Sequence, residues 1–353
     1  MDKHYRNDAK AIIEGLGALN QGFGGKTILV TGAAGFLGSE FIHYFLTLND
    51  EGALARSCRV VAMDSYLRGM PDWLTSLQTR QDLQVVADDV VRCEAYPRAE
   101  FIIHAASVAS PTFYRKHPIE TMDANVWGLR RLLEHARIKP PESLLFFSSS
   151  EIYGDPDSRH IPTAEDYRGF VSCTGPRACY DESKRFGETL CMAFWNIHRV
   201  PVKIARPFNN YGPGLRVSDR RVLPDFFRDV LSGKDVVLLS DGRATRTFCY
   251  ASDALEGYLR LILSQENGEA FNIGTEAPEV SMRELARLVI ATCGKDSQVV
   301  QQTSPDAQYL TDNPQRRCPD ITKAKQRLGY QPKVSLKEGL IRTRDYYLDH
   351  LHE

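Results

Sequence analysis

Short apolar runs alternate with amphipathic segments along the N-terminal half of the chain. The runs are rich in β-branched and aromatic residues and predict buried strands at 26–31, 59–63, 83–86, 101–104 and 144–148. Residues 36–48 and 118–137 instead carry apolar side chains at helical spacing. Because strands that alternate with helices form right-handed βαβ units, the pattern predicts a doubly wound parallel sheet of the α/β class.

The pattern divides the chain into three parts. Residues 1–24 predict an N-terminal helix that packs on the next domain, with a partner-binding or membrane role as the alternative. Residues 25–205 contain the alternating strands and helices. Residues 206–353 are interrupted by prolines and glycines and predict a smaller, interleaved domain that covers the open end of the sheet, with helices at 281–293 and 336–351.

Composition limits the class of protein. The chain has 353 residues and a formal net charge of -1, so no overall basic field favours nucleic acid. Its eight cysteines show no zinc-site spacing, so we expect reduced thiols and no bound metal. No apolar run approaches the ~20 residues of a membrane span, and Asp2, Asp8 and Glu14 interrupt any signal-peptide pattern. We expect a cytoplasmic protein without a membrane or nucleic-acid partner.

A glycine cluster follows the first predicted strand. Gly32, Gly35 and Gly38 allow a tight turn, close approach of a pyrophosphate and close helix packing. The next helix opens at Phe36 and Leu37, where free N–H groups can face phosphate oxygens. The cluster predicts a dinucleotide site, although a purely structural glycine turn is equally consistent with these residues alone.

Acidic residues after the next two strands extend this prediction. Asp64 ends the second strand, where a carboxylate accepts hydrogen bonds from ribose hydroxyls and repels a 2′-phosphate. NAD is therefore favoured over NADP, although Arg68 nearby leaves NADP open. Asp89 and Val90 follow the third strand and are candidates for contact with the adenine.

Tyr180 and Lys184 are four residues apart, so on a helix they share one face. A tyrosine with a pKa near ~10 is a poor base at neutral pH, but a nearby ammonium favours the phenolate. A phenolate can take a hydroxyl proton while hydride leaves the same carbon. This spacing alone is common on surface helices, so its value lies in its combination with the glycine cluster.

Together these residues resemble the extended short-chain dehydrogenase/reductase family, which contains nucleotide-sugar epimerases, dehydratases and decarboxylases. Matching segments also occur at 104–107, 205–213 and 245–248, and the resemblance covers residues 26 to about 345. It implies a Rossmann-type domain, a smaller C-terminal substrate domain, NAD as cofactor and a nucleotide sugar, expected to be UDP-linked, as substrate. It also implies a homodimer formed through helices near 118–137 and 178–198.

The resemblance also implies roles for individual residues. Ser149 matches the residue that binds the reacting sugar hydroxyl. The implied contacts with the cofactor, beyond the glycine turn, are made by Ala105, Asn125 and Lys184. The implied contacts with the nucleotide sugar are made by Ser107, Tyr114, Asn209, Arg246 and Arg317.

Within the family, the chain is most similar to UDP-glucuronic acid decarboxylases. The similarity is carried by residues 150–156, 175–182 and 314–321. Val108 and Phe113 depart from that pattern, because the decarboxylases tend to have proline and asparagine there. Both lie in the segment expected beside the sugar, so the exact substrate stays open at this point.

Ser150 and Glu151 bear on the step that follows oxidation at C4. The 4,6-dehydratases of the family have the pair Asp-Glu at these two positions, and in this chain serine stands in place of the aspartate. A 4-keto group lies β to the C6 carboxylate of a hexuronate, so loss of carbon dioxide leaves an enolate that hydrogen bonds at O4 can stabilise. We expect Glu151 to orient the ring or a water, or to assist proton transfer at C5, with a purely structural hydrogen bond as the alternative.

The sequence therefore predicts an NAD-dependent enzyme that decarboxylates UDP-glucuronate to UDP-xylose through a 4-keto intermediate. A C4-epimerase and a 4-keto-forming enzyme such as a 4,6-dehydratase, acting on another nucleotide sugar, are the alternatives. A non-catalytic NAD-binding scaffold is disfavoured, because it has no need of Tyr180, Lys184 and Ser149.

Overall fold

Seven parallel strands form the central sheet of the computed structural model, which describes residues 1–304, 306, 308 and 310–350. In chain order the strands are β1 (Thr27–Thr31), β2 (Arg59–Asp64), β3 (Leu83–Ala87), β4 (Phe101–His104), β5 (Ser143–Phe147), β6 (Val202–Pro207), β7 (Asn210–Tyr211), β8 (Val236–Leu238), β9 (Thr245–Arg246), β10 (Cys249–Tyr250), β11 (Glu269–Ile273), β12 (Val280–Ser281), β13 (Val299–Gln301) and β14 (Arg316–Arg317). The central sheet has the order β11-β6-β5-β4-β1-β2-β3, and each neighbouring pair is parallel. The order reverses between β1 and β4, as in a doubly wound sheet, so the expected fold class is confirmed.

Helices cover both faces of this sheet. In chain order they are α1 (Lys3–Leu16), α2 (Phe36–Asp50), α3 (Asp72–Thr75), α4 (Pro111–Lys116), α5 (Pro118–Met122), α6 (Leu129–Ile138), α7 (Ala178–His198), α8 (Val222–Leu231), α9 (Ala251–Leu263), α10 (Met282–Cys293), α11 (Thr322–Leu328) and α12 (Leu336–Asp349). One hydrophobic core joins the sheet to α1, α2, α9 and α11, and a second joins it to α6 and α7. Two covered faces explain why β1, β2, β4 and β5 read as continuous apolar runs. Within the described ranges, no helix is both long and apolar enough to cross a membrane.

The expected strands agree with the observed ones to within a residue or so, but 118–137 is not one regular helix. It is divided into α5, a π-helical segment at Asp123–Gly128, and α6. The wider π turn coincides with a buried contact, in which Asn125 Nδ2 donates to Ser183 Oγ on α7 at 2.9 Å. The apolar periodicity does not predict the π-helical segment, because the apolar face of the helix continues through it.

After β6 the chain leaves the central sheet and later returns to it. Strand β11 pairs with β6, and α9 packs on the same face as α2. The remaining elements, including α8, α10 and α12, surround a third hydrophobic core. The expected helix at 336–351 is observed as α12, and residue 351 lies outside the described residues.

The expected N-terminal helix is observed as α1, followed by a 3₁₀ segment at Gly17–Phe23. Asp2 caps its first turn by accepting a hydrogen bond from His4 N–H at 2.8 Å. Ala9, Ile12 and Leu16 enter the core beside α2 and α9. The helix is therefore packed into the fold along one face.

A buried ion pair between α7 and β6 gives a test of this packing. Arg206 donates to both carboxylate oxygens of Glu188, from Nε at 2.8 Å and from Nη2 at 2.6 Å. Removing one partner of a buried pair leaves the other charge unpaired, which costs about 3–5 kcal/mol. We expect Glu188→Gln to lower the free energy of unfolding by roughly 3 kcal/mol, as measured by urea denaturation.

Glu134→Gln is the matched control for this variant. Glu134 pairs with Arg130 on the exposed surface of α6, where such a pair contributes about 0.3–0.5 kcal/mol. Equal losses of stability in the two variants would contradict the role given to the pair of Glu188 and Arg206.

Candidate active site

Tyr180 and Lys184 lie in the first turns of α7, beside the carboxyl end of β5. Lys184 Nζ donates a hydrogen bond to the carbonyl oxygen of Phe147, the last residue of β5, at 2.9 Å. The same nitrogen lies 5.6 Å from the ring centroid of Tyr180. Burial lowers the pKa of Lys184 to about 7, because a buried ammonium loses its hydration.

Tyr180 is buried against Tyr114 and the segment after β5. The two tyrosine rings stack with centroids 5.0 Å apart and an interplanar angle of 10°. Burial raises the pKa of Tyr180 to about 12, while a hydrogen bond with Ser149 and the charge of Arg221 act in the opposite direction. The protein alone therefore keeps the phenol protonated at neutral pH, and its use as a base requires further positive charge near the ring.

The segment after β5 positions three candidate residues. Ser149 caps a 3₁₀ helix at Ser150–Tyr153, and its hydroxyl accepts a hydrogen bond from Glu151 N–H at 3.1 Å. Ser150 is buried in the first position of that helix. One short turn thus carries both the hydroxyl of Ser149 and the carboxylate of Glu151.

Two arginines hold the carboxylate of Glu151. Arg317 donates to both of its oxygens, each at 2.5 Å, and Arg177 donates to Oε2. Burial acts to raise the pKa of Glu151, but the charges of Arg177 and Arg317 outweigh it and hold the pKa well below its usual range. Glu151 is therefore an anion at neutral pH.

Arg177 and Asp181 belong to this site and were not among the residues singled out from the sequence. Asp181 follows the candidate base directly, and its Oδ2 lies 3.9 Å from Arg177 Nε. Burial and the nearby charge of Glu151 raise the pKa of Asp181. The spacing of four residues between Arg177 and Asp181 on a predicted helix is the signal that could have shown the pair.

Arg246 and Arg317 lie directly opposite each other on β9 and β14. Arg246 Nη2 donates to the carbonyl oxygen of Pro314 at 2.5 Å. Burial and the charge of Arg317 lower the pKa of Arg246 to about 9. Asn209 lies near the same strand, with its Nδ2 donating to Thr247 O at 2.8 Å. Arg246 and Arg317 are adjacent cations, and Glu151 is the carboxylate paired with Arg317. The positive charge that remains makes this side of the site suited to an anion.

The glycine turn between β1 and α2 has no room for side chains. Gly32 has φ +73°, and an added Cβ would lie 2.6 Å from Ala106 N. An added Cβ on Gly38 would lie 2.0 Å from Gly32 O, whereas Gly35 is less crowded, with 3.1 Å to the same oxygen. Helix α2 begins at Phe36 and Leu37 directly after this turn, so its first N–H groups face the expected pyrophosphate position.

Asp64 also has a structural role in the glycine turn. Its carboxylate accepts hydrogen bonds from Ala34 N–H at 3.0 Å and from Tyr66 N–H at 2.9 Å. Each carboxylate oxygen has two lone pairs, so capacity for ribose hydroxyls remains. Asp89 accepts from Val91 N–H at 2.9 Å, and Val90 is buried in the core beside α6.

Several buried polar atoms in this part of the chain have no partner. Ala105 follows β4 directly, and its N–H donates to the carbonyl oxygen of Thr31 on β1. Among the described residues, the buried polar atoms without a hydrogen-bond partner include His104 Nε2 and Ser107 Oγ, before and after Ala105, and also Tyr114 Oη and Asn125 Oδ1. Unsatisfied buried groups usually mark a missing partner. Together with the glycine turn, these atoms fit a large polar ligand such as NAD.

Similarity to known proteins extends over nearly the whole chain. Residues 28–274 match the model of the NAD dependent epimerase/dehydratase family. The chain is 37% identical over 313 residues to UDP-glucuronic acid decarboxylase 6 of Arabidopsis thaliana, covering 89% of this chain and 86% of that relative.

Two solved structures share the fold. One is a UDP-glucuronic acid 4-epimerase from Bacillus cereus in complex with UDP-glucuronic acid and NAD, at 26% identity and TM-score 0.77, covering 92% of this chain and 100% of that chain. The other is a dTDP-glucose 4,6-dehydratase from Streptomyces venezuelae with NAD bound, at 25% identity and TM-score 0.80, covering 92% and 97%. The expected resemblance is confirmed.

The crowding at Gly38 predicts the effect of a single methyl group. We expect Gly38→Ala to displace the turn and to reduce bound NAD at least tenfold, because backbone atoms cannot yield as a flexible side chain can. The measurement is the NAD released by heating the purified variant, per mole of protein.

Gly52→Ala is the control, since an added Cβ there meets no atom within 4 Å although φ is +61°. It should cost stability of roughly 1 kcal/mol through backbone strain and leave the NAD content unchanged. Normal NAD content in Gly38→Ala would remove the glycine turn from the cofactor site.

Proposed function

The chain belongs to the NAD dependent epimerase/dehydratase family, and we propose that it removes carbon dioxide from UDP-glucuronate to form UDP-xylose, with NAD as cofactor. The observation that carries the choice of reaction is the state of Glu151, an anion held by Arg177 and Arg317. Elimination of a C6 hydroxyl needs an acid at this turn, and neither an ionised Glu151 nor the hydroxyl of Ser150 is one. The similarity to a UDP-glucuronic acid decarboxylase supports the same choice.

In the first step, Tyr180 accepts the proton of the C4 hydroxyl while Ser149 holds that hydroxyl in place. NAD, which the glycine turn and Asp64 would hold, would supply the hydride acceptor for C4. Lys184 stabilises the phenolate, since its nitrogen lies close to the ring of Tyr180. Ser149 follows β5 directly, and Lys184 ties the start of α7 to the last residue of β5, which supports contact of Ser149 and Tyr180 with the same sugar oxygen.

In the second step, the 4-keto group is β to the C6 carboxylate. The electrons of the C5–C6 bond move toward O4 as carbon dioxide departs, and Tyr180 and Ser149 donate hydrogen bonds to the resulting enolate oxygen. A proton from water then adds to C5, and when the hydride returns to C4, Tyr180 gives its proton back to O4. We assign Glu151 to holding Arg177 and Arg317 in place for the sugar carboxylate, rather than to donating that proton.

C4-epimerisation of UDP-glucuronate is the second candidate. The structural neighbour from Bacillus cereus is an epimerase with UDP-glucuronic acid bound, so the same fold and the same sugar nucleotide also support that reaction. Release of carbon dioxide distinguishes the two, because only decarboxylation removes C6.

We also propose a homodimer formed through α5, α6 and α7. These helices and the π-helical segment between α5 and α6 expose large apolar side chains: Ile119, Trp127, Ile138, Phe186 and Ile197. Several exposed apolar side chains on neighbouring helices favour a protein interface. The eight cysteines are free thiols, which supports a reducing compartment such as the cytoplasm.

Glu151→Gln tests the step that follows oxidation. Glutamine keeps the size of the side chain and removes its charge, so Arg177 and Arg317 lose their anion. We expect bound NAD still to be reduced when UDP-glucuronate is added, while carbon dioxide release falls by roughly 10²-fold or more, in the range of a positioned polar group. Absorbance of NADH follows the first step, and trapped carbon dioxide follows the second.

Tyr180→Phe is the matched contrast, because it should abolish both signals by removing the base of the first step. A wild-type product that is a 4-epimer or a 4-keto-6-deoxy sugar, with no carbon dioxide, would reject decarboxylation. Equal loss of both signals in Glu151→Gln would reject the separate role given to Glu151.

The dimer is tested by introducing charge into the proposed interface. We expect the double variant Trp127→Glu, Phe186→Glu to be monomeric by light scattering, because burying two carboxylates in an apolar contact is unfavourable. Phe170→Glu, which alters an exposed aromatic residue outside these helices, should remain dimeric. A wild-type monomer would contradict the proposal.

A further inference from the structure

Helix α1 lies outside the matched part of the chain, which begins at residue 28, yet it buries polar side chains as well as apolar ones. Tyr5 and Asp8 are each only 4% exposed. Burial of a carboxylate is costly unless hydrogen bonds and opposite charge compensate for it. The hydrogen-bond and packing partners of Tyr5 and Asp8 therefore show which elements α1 connects.

Asp8 joins α1 to two elements of the C-terminal part of the chain. The hydroxyl of Tyr250 on β10 donates to Asp8 Oδ2 at 2.8 Å. Arg342 Nη1 on α12 donates to Asp8 Oδ1 at 3.0 Å, and its guanidinium also lies 5.5 Å from the ring centroid of Tyr250. The carboxylate thus has an anchored partner on each oxygen.

Tyr250 is in turn connected to Asn209. Strand β10 pairs with β7 in parallel, with Cys249 opposite Asn210 and Tyr250 opposite Tyr211. Cys249 N–H donates to the carbonyl oxygen of Asn209 at 3.2 Å. Asn209 has φ +43°, a left-handed conformation that is uncommon outside glycine and that asparagine adopts more readily than most residues.

Tyr5 makes a second connection to the same segment. An added Cβ on Gly214, which has φ +80°, would lie 2.2 Å from Tyr5 Oη. The same hydroxyl lies 3.3 Å from Ser39 Oγ on α2, and the ring of Tyr5 stacks on His43 of that helix at 3.9 Å. Helix α1 therefore lies between α2, which opens at the glycine turn, and the segment 209–214.

We propose that α1 is a positioning element of the nucleotide-sugar site, acting through Asp8 and Tyr250 to hold the segment 209–214 against the cofactor domain. The inference rests on the proposed function, because the substrate of that function is a nucleotide sugar, whose diphosphate the family resemblance implies that Asn209 contacts. Asp8 and Tyr250 are positioning residues that act through Asn209. Contacts with the diphosphate are the same before and during the reaction, so their loss weakens substrate binding and leaves the chemical step unchanged.

Tyr250→Phe and Asp8→Asn remove the contact from opposite sides. On the NAD-containing protein, we expect each variant to raise the Kd of UDP, measured by isothermal titration calorimetry, and the KM of UDP-glucuronate by roughly tenfold, the order expected for one hydrogen bond to a charged group. NAD content and kcat should change by less than about twofold. The double variant should bind UDP no more weakly than the weaker single variant, because both changes break one contact.

Arg6→Gln is the matched control. Arg6 ties α1 to Glu51 at the end of α2, at 2.7 Å, without reaching the segment 209–214, so its loss should leave the Kd of UDP unchanged. If Asp8→Asn does not fold, Tyr250→Phe tests the inference by itself. This variant leaves Asp8 paired with Arg342, so the buried carboxylate keeps a partner.

The outcomes separate the two proposals. Wild-type protein that does not bind UDP rejects the nucleotide-sugar function and the inference with it. Wild-type protein that binds UDP, with Tyr250→Phe binding it equally well, rejects the inference alone. Parallel losses of NAD content, kcat and UDP affinity in Tyr250→Phe would show a general structural role and would also overturn it.

Discussion

The ion pairs of Glu151 with Arg177 and Arg317 constrain the whole active site. Their three side chains come from the turn after β5, the residue before α7 and strand β14. Buried charges of this kind are tolerated only when each has its partners. The ion pairs therefore form only when the central sheet, the helix that carries Tyr180 and the strand that carries Arg317 are all correctly positioned.

Burial and the two arginines act differently on the ionisable groups of the candidate site. Burial alone pushes Tyr180 and Lys184 toward their neutral forms, while the two arginines keep Glu151 ionised. In the protein by itself, Tyr180 is therefore protonated and cannot yet accept a proton. In the proposed function, the positively charged nicotinamide of bound NAD would favour the phenolate of Tyr180.

A second carboxylate, Asp8, also joins elements that are distant in the sequence. Helix α1 packs between α2 and the elements that carry Tyr250 and Arg342. Glu151 and Asp8 are both buried carboxylates that join residues distant in the sequence, one at the reacting end of the site and the other behind the segment of Asn209.

The sequence by itself determined the strands and helices of the central sheet, the glycine turn at Gly32–Gly38, the pairing of Tyr180 with Lys184 on one face of a helix, and the family. Each of these is encoded in contiguous residues or in a fixed short spacing, so periodicity and turn chemistry reveal it. The interruption of the helix at Asp123–Gly128 was not visible, because the apolar pattern continues through it. Only the tertiary structure decided the partners of Glu151, 26 and 166 positions away, the return of β11 to the sheet and the contact of Asp8 with Tyr250, 242 positions away. Such contacts depend on how the elements pack and on which charges are buried together. Local sequence patterns do not contain this information.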